Sequence, residues 1–201
     1  MVARKGGKEA RRAELGRAVE RALVARGLEG LRLRDVAEEA GVTSAAVLYY
    51  GDLDALVHAA YQQAIERYSR QREQAATAFD DASRQLAACI EQGVASGPDD
   101  TLTRLLFEYW PRCLRDAKAA ALDSALTERQ IAVYSGILVL GQAQGHFTLQ
   151  DPPRLLAASF VAMEDGYQME LLAGRRSRAE VITALRAYAR AVTGHDLPEH
   201  A

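Results

Sequence analysis

The chain has 201 residues, 49% of them hydrophobic and 26% charged, with a formal net charge of −2. This balance is ordinary for a globular protein and excludes a low-complexity or collagen-like chain. No apolar run reaches the ~18 residues of a membrane span, and two cysteines, Cys89 and Cys113, are too few for a disulfide framework, so buried thiols in a reducing cytoplasm are expected.

The net charge hides an asymmetry. Residues 1–34 hold ten Lys/Arg and four Glu, a net +6, and the remainder carries 15 Lys/Arg against 23 Asp/Glu, a net −8. A basic end on an acidic body fits contact with a polyanion at one end. The basic start, "MVARKGGKEARRAE", lacks the apolar stretch of a secretory signal, so a cytoplasmic location is expected.

From Lys8 to Arg26, Leu15, Val19, Ala22 and Leu23 recur at helical spacing, and Gly27 ends the run. Leu28 and Leu31 then fall in a short loop. A second helix is predicted over Leu33 to Ala40, stopping at Gly41, and a third over Ser44 to Tyr50, stopping at Gly51. Asp52 is a good N-cap for a helix to about Ala76, along which Leu53, Leu56, Val57, Ala60, Tyr61, Ala64, Ile65 and Tyr68 form one stripe.

Another helix is predicted near Asp81–Ser96, followed by a break at Gly97-Pro98-Asp99-Asp100. Leu102, Leu105, Leu106, Tyr109, Cys113 and Leu114 make the next stripe, with Pro111 set to kink or break it. A long helix follows over about Ala119–Gly145. Its middle, "IAVYSGILVLG", is apolar almost all round and is expected to be buried. Asp151 is expected to cap a further helix with Pro152 at its first position, running to about Ala173. Ser177-Arg178-Ala179-Glu180 reads as a capping box opening the last helix. The expected fold is all-α, with about nine helices and no strand or repeat.

Two short helices joined by a tight glycine turn form a helix-turn-helix. Val36, Ala37 and Ala40 face inward from the first. Ala37 is small where the second helix crosses, and Gly41 sits where the turn needs a left-handed backbone. Val42 and Val47 plug the gap between them.

These residues carry a resemblance. Gly27-Leu28-Glu29-Gly30-Leu31, Leu33 to Thr43, Leu48-Tyr49-Tyr50 and Leu53 to Val57 closely resemble the N-terminal domain of TetR-type (tetracycline-repressor-like) transcriptional regulators. "GQAQGHFTLQDP" and "AMEDGYQMELLAG" resemble that family's ligand-binding half. The resemblance implies a helix-turn-helix domain over residues 1–51 and a ligand-binding and dimerisation domain over residues 52–201. It implies a homodimer that binds a palindromic operator, usually as a repressor, and is released by a small-molecule effector. The helix from Ser44 to Tyr50 would then enter the major groove.

The sequence departs from the family pattern at three places. The second helix opens on Arg32 rather than Ser or Thr. Gly51-Asp52-Leu53-Asp54 stands where an aromatic-Pro-Ser-Lys turn is common, so aspartates replace a phosphate-binding lysine. The register of Leu48-Tyr49-Tyr50 against the family's Leu-Tyr is ambiguous by one position.

For DNA this leaves a defined set. Thr43 and Ser44 lie at the start of the recognition helix, suited to a phosphate. Ala45 and Ala46 permit close approach to thymine methyls. Tyr49 or Tyr50 can donate to phosphate or a base edge while the other packs inward. Arg32, Arg34 and an arm with Arg4, Lys5, Lys8, Arg11 and Arg12 supply positive charge.

In the larger half, the resemblance implies that the last two helices pair with their copies, through Phe160, Leu171, Val181, Leu185, Tyr188 and Val192, with Met163 and Tyr167 nearby. A pocket is expected where Phe107, Glu108, Tyr109, Trp110, Pro111 and Cys113 crowd together, facing Met163, Glu164, Tyr167 and Gln168. An aromatic and acidic lining would suit a cationic or amphipathic effector.

No enzyme is expected. The four His (His58, His146, His195, His200) are scattered, and no metal-ligand spacing, phosphate loop or nucleophile elbow is present, so neither metal nor cofactor is expected. The competing reading is a helical small-molecule-binding or adaptor protein whose helix-turn-helix has lost DNA.

Overall fold

The structure is a computed structural model that describes residues 3–199, with the backbone alone over 3–9. Nine α-helices and one 3₁₀ turn, and no strand, occur among the described residues. No helix among them is long and apolar enough to cross a membrane.

The chain divides into two compact units, one built from residues 1–66 and 101–122, the other from 67–100 and 123–201. The expected single boundary at residue 51 is not where this division falls. The first unit also takes in half of the fourth helix and the segment around Tyr109.

The first unit contains α1 (Ala3–Gly30), α2 (Leu33–Glu39), α3 (Ser44–Leu48), the first half of α4 (Leu53–Ala76), α6 (Thr101–Tyr109) and a 3₁₀ turn (Trp110–Leu114). Leu15, Val19, Leu23, Val36, Val47, Val57 and Leu105 are buried to the last few per cent and form its core. Gly27 breaks α1 with φ 69° and ψ 162°, a region essentially closed to residues with a Cβ. Just beyond the break, Leu28 N–H donates to the Glu108 carboxylate at 3.3 Å. Tyr61 stacks on Tyr109 at 4.0 Å, and His58 Nδ1 lies 2.9 Å from the Tyr109 hydroxyl. These contacts tie α4 to α6. Pro111 acts as predicted: α6 stops at Tyr109 and the chain tightens into the 3₁₀ turn.

The second unit contains the rest of α4, α5 (Ala82–Gly93), most of α7 (Ala117–Ala143), α8 (Pro153–Leu172) and α9 (Arg178–Thr193). Its core joins Leu86, Cys89, Ile90, Tyr134, Leu138, Phe160, Leu171, Val181 and Leu185. Asp81 caps α5 by accepting from Arg84 N–H at 2.9 Å, and Ser177 with Glu180 closes the predicted capping box on α9.

Three expectations need correction here. Pro152 is itself the N-cap of α8, one position later than foreseen, so Asp151 lies outside the helix. The middle of α7 is not buried all round. Val139 is 52% exposed, and Ala132 and Gly136 lie exposed on the same face. An all-apolar sequence shows no polar stripe, so it cannot reveal which face the subunit leaves uncovered. The third correction concerns the interface residues. Phe160, Leu171, Val181 and Leu185 are 0% exposed within one subunit, and Tyr188 and Val192 pack partly against the same core. The first four fill the subunit's own interior, while Tyr188 and Val192 are half-buried. The outward faces are instead Leu155, Ala162, Gly166 and Met169 on α8, and Ala179, Thr183, Ala187 and Ala191 on α9.

Candidate nucleic-acid interface and buried polar centre

The helix-turn-helix is built from local rules. An arginine side chain has no acceptor with which to cap a helix, yet α2 is held at its start. Asp35, in the first turn, accepts from Arg32 N–H at 2.8 Å, which is the returning half of a capping box. At the other end Arg21 reaches from α1 to the Glu39 carboxylate at 2.8 Å and the Glu39 carbonyl at 2.7 Å. Gly41 turns the chain with φ 64°, and Val42 N–H closes the turn onto the Ala37 carbonyl at 3.0 Å. Thr43 then caps α3 by accepting from Ala46 N–H at 3.2 Å. Val47 is 0% exposed and anchors the short helix.

With Val47 inward, the rest of α3 faces out. Thr43, Ser44, Ala45, Ala46, Leu48 and Tyr49 are exposed, Tyr49 at 78%. Tyr50 is half-buried and meets Tyr49 edge to face at 5.3 Å. The two tyrosines thus differ: Tyr49 has a free rim and Tyr50 supports it. Leu48 is also exposed, at 58%, and the sequence reading gave it no role on DNA.

The basic residues divide too. The Arg34 side chain is 81% exposed, with only a 3.8 Å approach to Asp35. Arg32 donates to the carbonyls of Glu29 at 3.2 Å and Leu31 at 3.1 Å. Arg11 pairs with Glu14 at 2.5 Å, and Arg12 is exposed. The side chains of Arg4, Lys5 and Lys8 lie outside the described residues.

The two aspartates that stand in place of a lysine are both engaged. Asp52 caps α4, accepting from Ala55 N–H at 2.8 Å. Asp54 is bridged by Arg112 from the 3₁₀ turn.

The residues foreseen as a pocket fall into both units. Phe107, Glu108, Tyr109, Trp110 and Cys113 belong to the first, and Met163, Glu164 and Tyr167 to the second. Tyr109 is 1% exposed beneath Tyr61. Glu108, with Pro111, Arg112 and Leu28, lines an open cleft of the first unit. Phe107 meets Trp110 edge to face at 5.6 Å. Tyr167 already carries a cation of its own, Arg176, 5.4 Å above its ring.

Glu164 belongs to a buried polar centre. It and Arg72 are each 1% exposed and form a bidentate pair at 2.6 and 3.0 Å. The Tyr134 hydroxyl donates to Glu164 at 3.2 Å. Arg72 also donates to the Tyr68 hydroxyl at 3.1 Å, and Tyr68 donates to the Gly93 carbonyl at 3.2 Å. Gly93 has no side chain because a Cβ there would collide with both Glu164 and Arg72. Burial pushes the Cys89 thiol up to about 11 despite the Arg72 charge beside it, so it stays a thiol at neutral pH. Burial and the Glu164 charge push the neighbouring Asp165 carboxyl up to about 7.

Arg72 and Tyr68 were legible in part. Position 72 is the next step, four residues on, of the apolar stripe ending at Tyr68. A charge on a buried stripe requires a buried partner, and Glu164 stands at the matching place on α8, four residues after Phe160.

No family model and no curated protein matches the chain. Solved structures do. A transcriptional regulator from Saccharomonospora viridis in complex with choline superposes with TM-score 0.81 at 22% identity, covering 91% of this chain and 96% of that one. A TetR-family regulator from Rhodococcus sp. gives TM-score 0.78 at 22% identity, with 91% and 98% covered. A transcriptional regulator from Pseudomonas aeruginosa PAO1 gives 0.71 at 25% identity, with 92% and 90% covered. The architecture is therefore that of helical transcriptional regulators with an N-terminal helix-turn-helix. More narrowly, it is the TetR-type fold, as the motif around Gly41 implied.

Proposed function

We propose that the protein is a ligand-responsive, DNA-binding transcriptional regulator that acts as a dimer on an operator. The observation that carries this reading is the outward face of α3. A five-residue helix anchored by one buried valine exposes Ser44, Ala45, Ala46 and Tyr49 together. Small residues at the helix start allow close approach to base edges, and Tyr49 has a free hydroxyl rim. Arg34 and the arm with Arg4, Lys5 and Lys8 supply phosphate contacts, while Arg32 is partly committed to the backbone.

The outward faces of α8 and α9, lined by Ala, Gly, Thr and Met, support pairing of two copies as a four-helix interface. The choline complex of the S. viridis protein supports a small-molecule effector. Release of the operator by that effector would make the protein a repressor working in the cytoplasm.

A gel shift with the DNA upstream of the protein's own gene tests the reading. Specific retardation is expected, with log affinity falling linearly against log salt. Deleting residues 1–8 is expected to weaken binding and flatten that slope. Absence of any specific complex would favour a ligand-binding or adaptor protein with a degenerate helix-turn-helix.

A further inference from the structure

Between the second half of α4 and α7 runs a closed seam lined by Ser69, Arg72, Glu73, Arg129, Gln130 and Val133. Three of its polar atoms are buried without a partner: the Ser69 hydroxyl, Arg72 Nε and the Gln130 amide oxygen. Their residues are 3%, 1% and 6% exposed. Orphaned buried polar atoms are rare, and three on one seam require an explanation. The atom-free space there is about 160 Å³, spread too thinly to seat even a water. At the seam's rim Arg129 is held to Glu73 at 2.8 Å and 3.1 Å, with both side chains partly exposed.

We propose that this seam is the effector slot, shut in the structure described, and that it takes a small neutral molecule with one hydrogen-bond acceptor and one donor. The proposal rests on the ligand-responsive reading above. Arg72 Nε–H needs an acceptor, the Gln130 oxygen needs a donor, and the Ser69 hydroxyl can serve as either. The slot carries no net charge to attract an ion, because Glu164 already neutralises Arg72. A bound cation would face the Arg72 guanidinium, and a bound anion would compete with Glu164 for it. A primary amide or hydroxy-carbonyl group satisfies all three orphans at once. The Glu73–Arg129 pair is the rim that must part for entry.

Butyramide, butyrate and butylammonium have nearly the same size and differ in charge, so they serve as probes. Each is titrated at millimolar concentration into the ¹⁵N-labelled full-length protein, and the Arg72 Nε–H resonance is followed. Butyramide is expected to move that resonance and raise Tm. The two ions are expected to do neither. Gln130→Leu should weaken butyramide about tenfold, the loss of one hydrogen bond, and should not lower Tm, because it removes an orphaned acceptor. Binding of butylammonium or butyrate alone, binding of butyramide that Gln130→Leu leaves unchanged, or no response to any probe would each overturn the proposal. Operator retention is measured separately by gel shift, so a protein that binds DNA but not butyramide refutes the slot and leaves the regulator standing.

Discussion

Arg112, on the 3₁₀ turn after α6, donates to the carboxylate of Asp54 in the first turn of α4. The guanidinium also lies over the Tyr109 ring at 5.3 Å. An aspartate two residues past the cap of α4 would otherwise add uncompensated negative charge close to the recognition helix. Arg112→Ala is therefore expected to weaken operator binding about tenfold, and Asp54→Asn in the same chain should restore most of it. Because the pair is partly exposed, the change in folding stability should stay within about 1 kcal/mol. Fluorescence anisotropy on labelled operator at fixed salt checks the affinities. Equal binding by wild type and Arg112→Ala would show that Asp54 does not act on DNA.

The Arg72–Glu164 pair supplies a second prediction. Two charges at 1% exposure are stable only together, and removing one partner typically costs about 3–5 kcal/mol. Gly93→Ala should produce a loss of that order without touching either charge, because its Cβ would drive the two apart. Arg72→Met with Glu164→Leu should recover most of the stability lost by either single change. Urea unfolding of the four variants checks this. A Gly93→Ala protein as stable as wild type would mean the pair has room to shift.

Asp165 sets an expected pH dependence. Its carboxyl is pushed from its ordinary 3.8 up to about 7, first by burial and then by the Glu164 charge. The folded state thus holds this proton more tightly than the unfolded chain. Stability from the group is greatest below its unfolded value and is lost as pH rises towards 7. Wild-type Tm should carry a downward component between about pH 4 and 7, and Asp165→Asn should remove it. Thermal melts of both proteins across that window make the comparison, and parallel curves would refute the shift.

Much of this architecture could be read from residue patterns. The glycines at 27 and 41 were read as helix ends, and both have positive φ. Capping by Asp52 and Ser177 was legible because an N-cap is a local interaction between residues three apart. What was not legible is long-range. The bridge from Arg112 to Asp54 spans 58 residues and the Arg72–Glu164 pair 92, and no local rule pairs them. The apolar positions of α8 and α9 identified a buried face correctly but could not say whether it was buried by the subunit or by a second copy. The choice between Tyr49 and Tyr50 turned on one residue of register at the end of a five-residue helix, finer than periodicity resolves.

That ambiguity on α8 and α9 leads to the last prediction. Leu185 is 0% exposed in one subunit, whereas Ala187, two positions on, is exposed beside Thr183 and Ala191. If pairs of subunits meet through the outward faces, the two positions should separate two kinds of damage. Ala187→Glu puts a carboxylate into a face of small side chains, where burying it unpaired is costly. It should yield a folded monomer with nearly unchanged melting at low protein concentration and with much weaker operator binding. Leu185→Ala leaves a cavity in the subunit core and should cost about 2–5 kcal/mol, lowering Tm whether or not the chains associate. Light scattering after size-exclusion chromatography reads the first effect, and denaturant unfolding reads the second. A dimeric Ala187→Glu protein would place the contact between copies elsewhere, with the exposed Ala132–Gly136–Val139 face of α7 next to be tested.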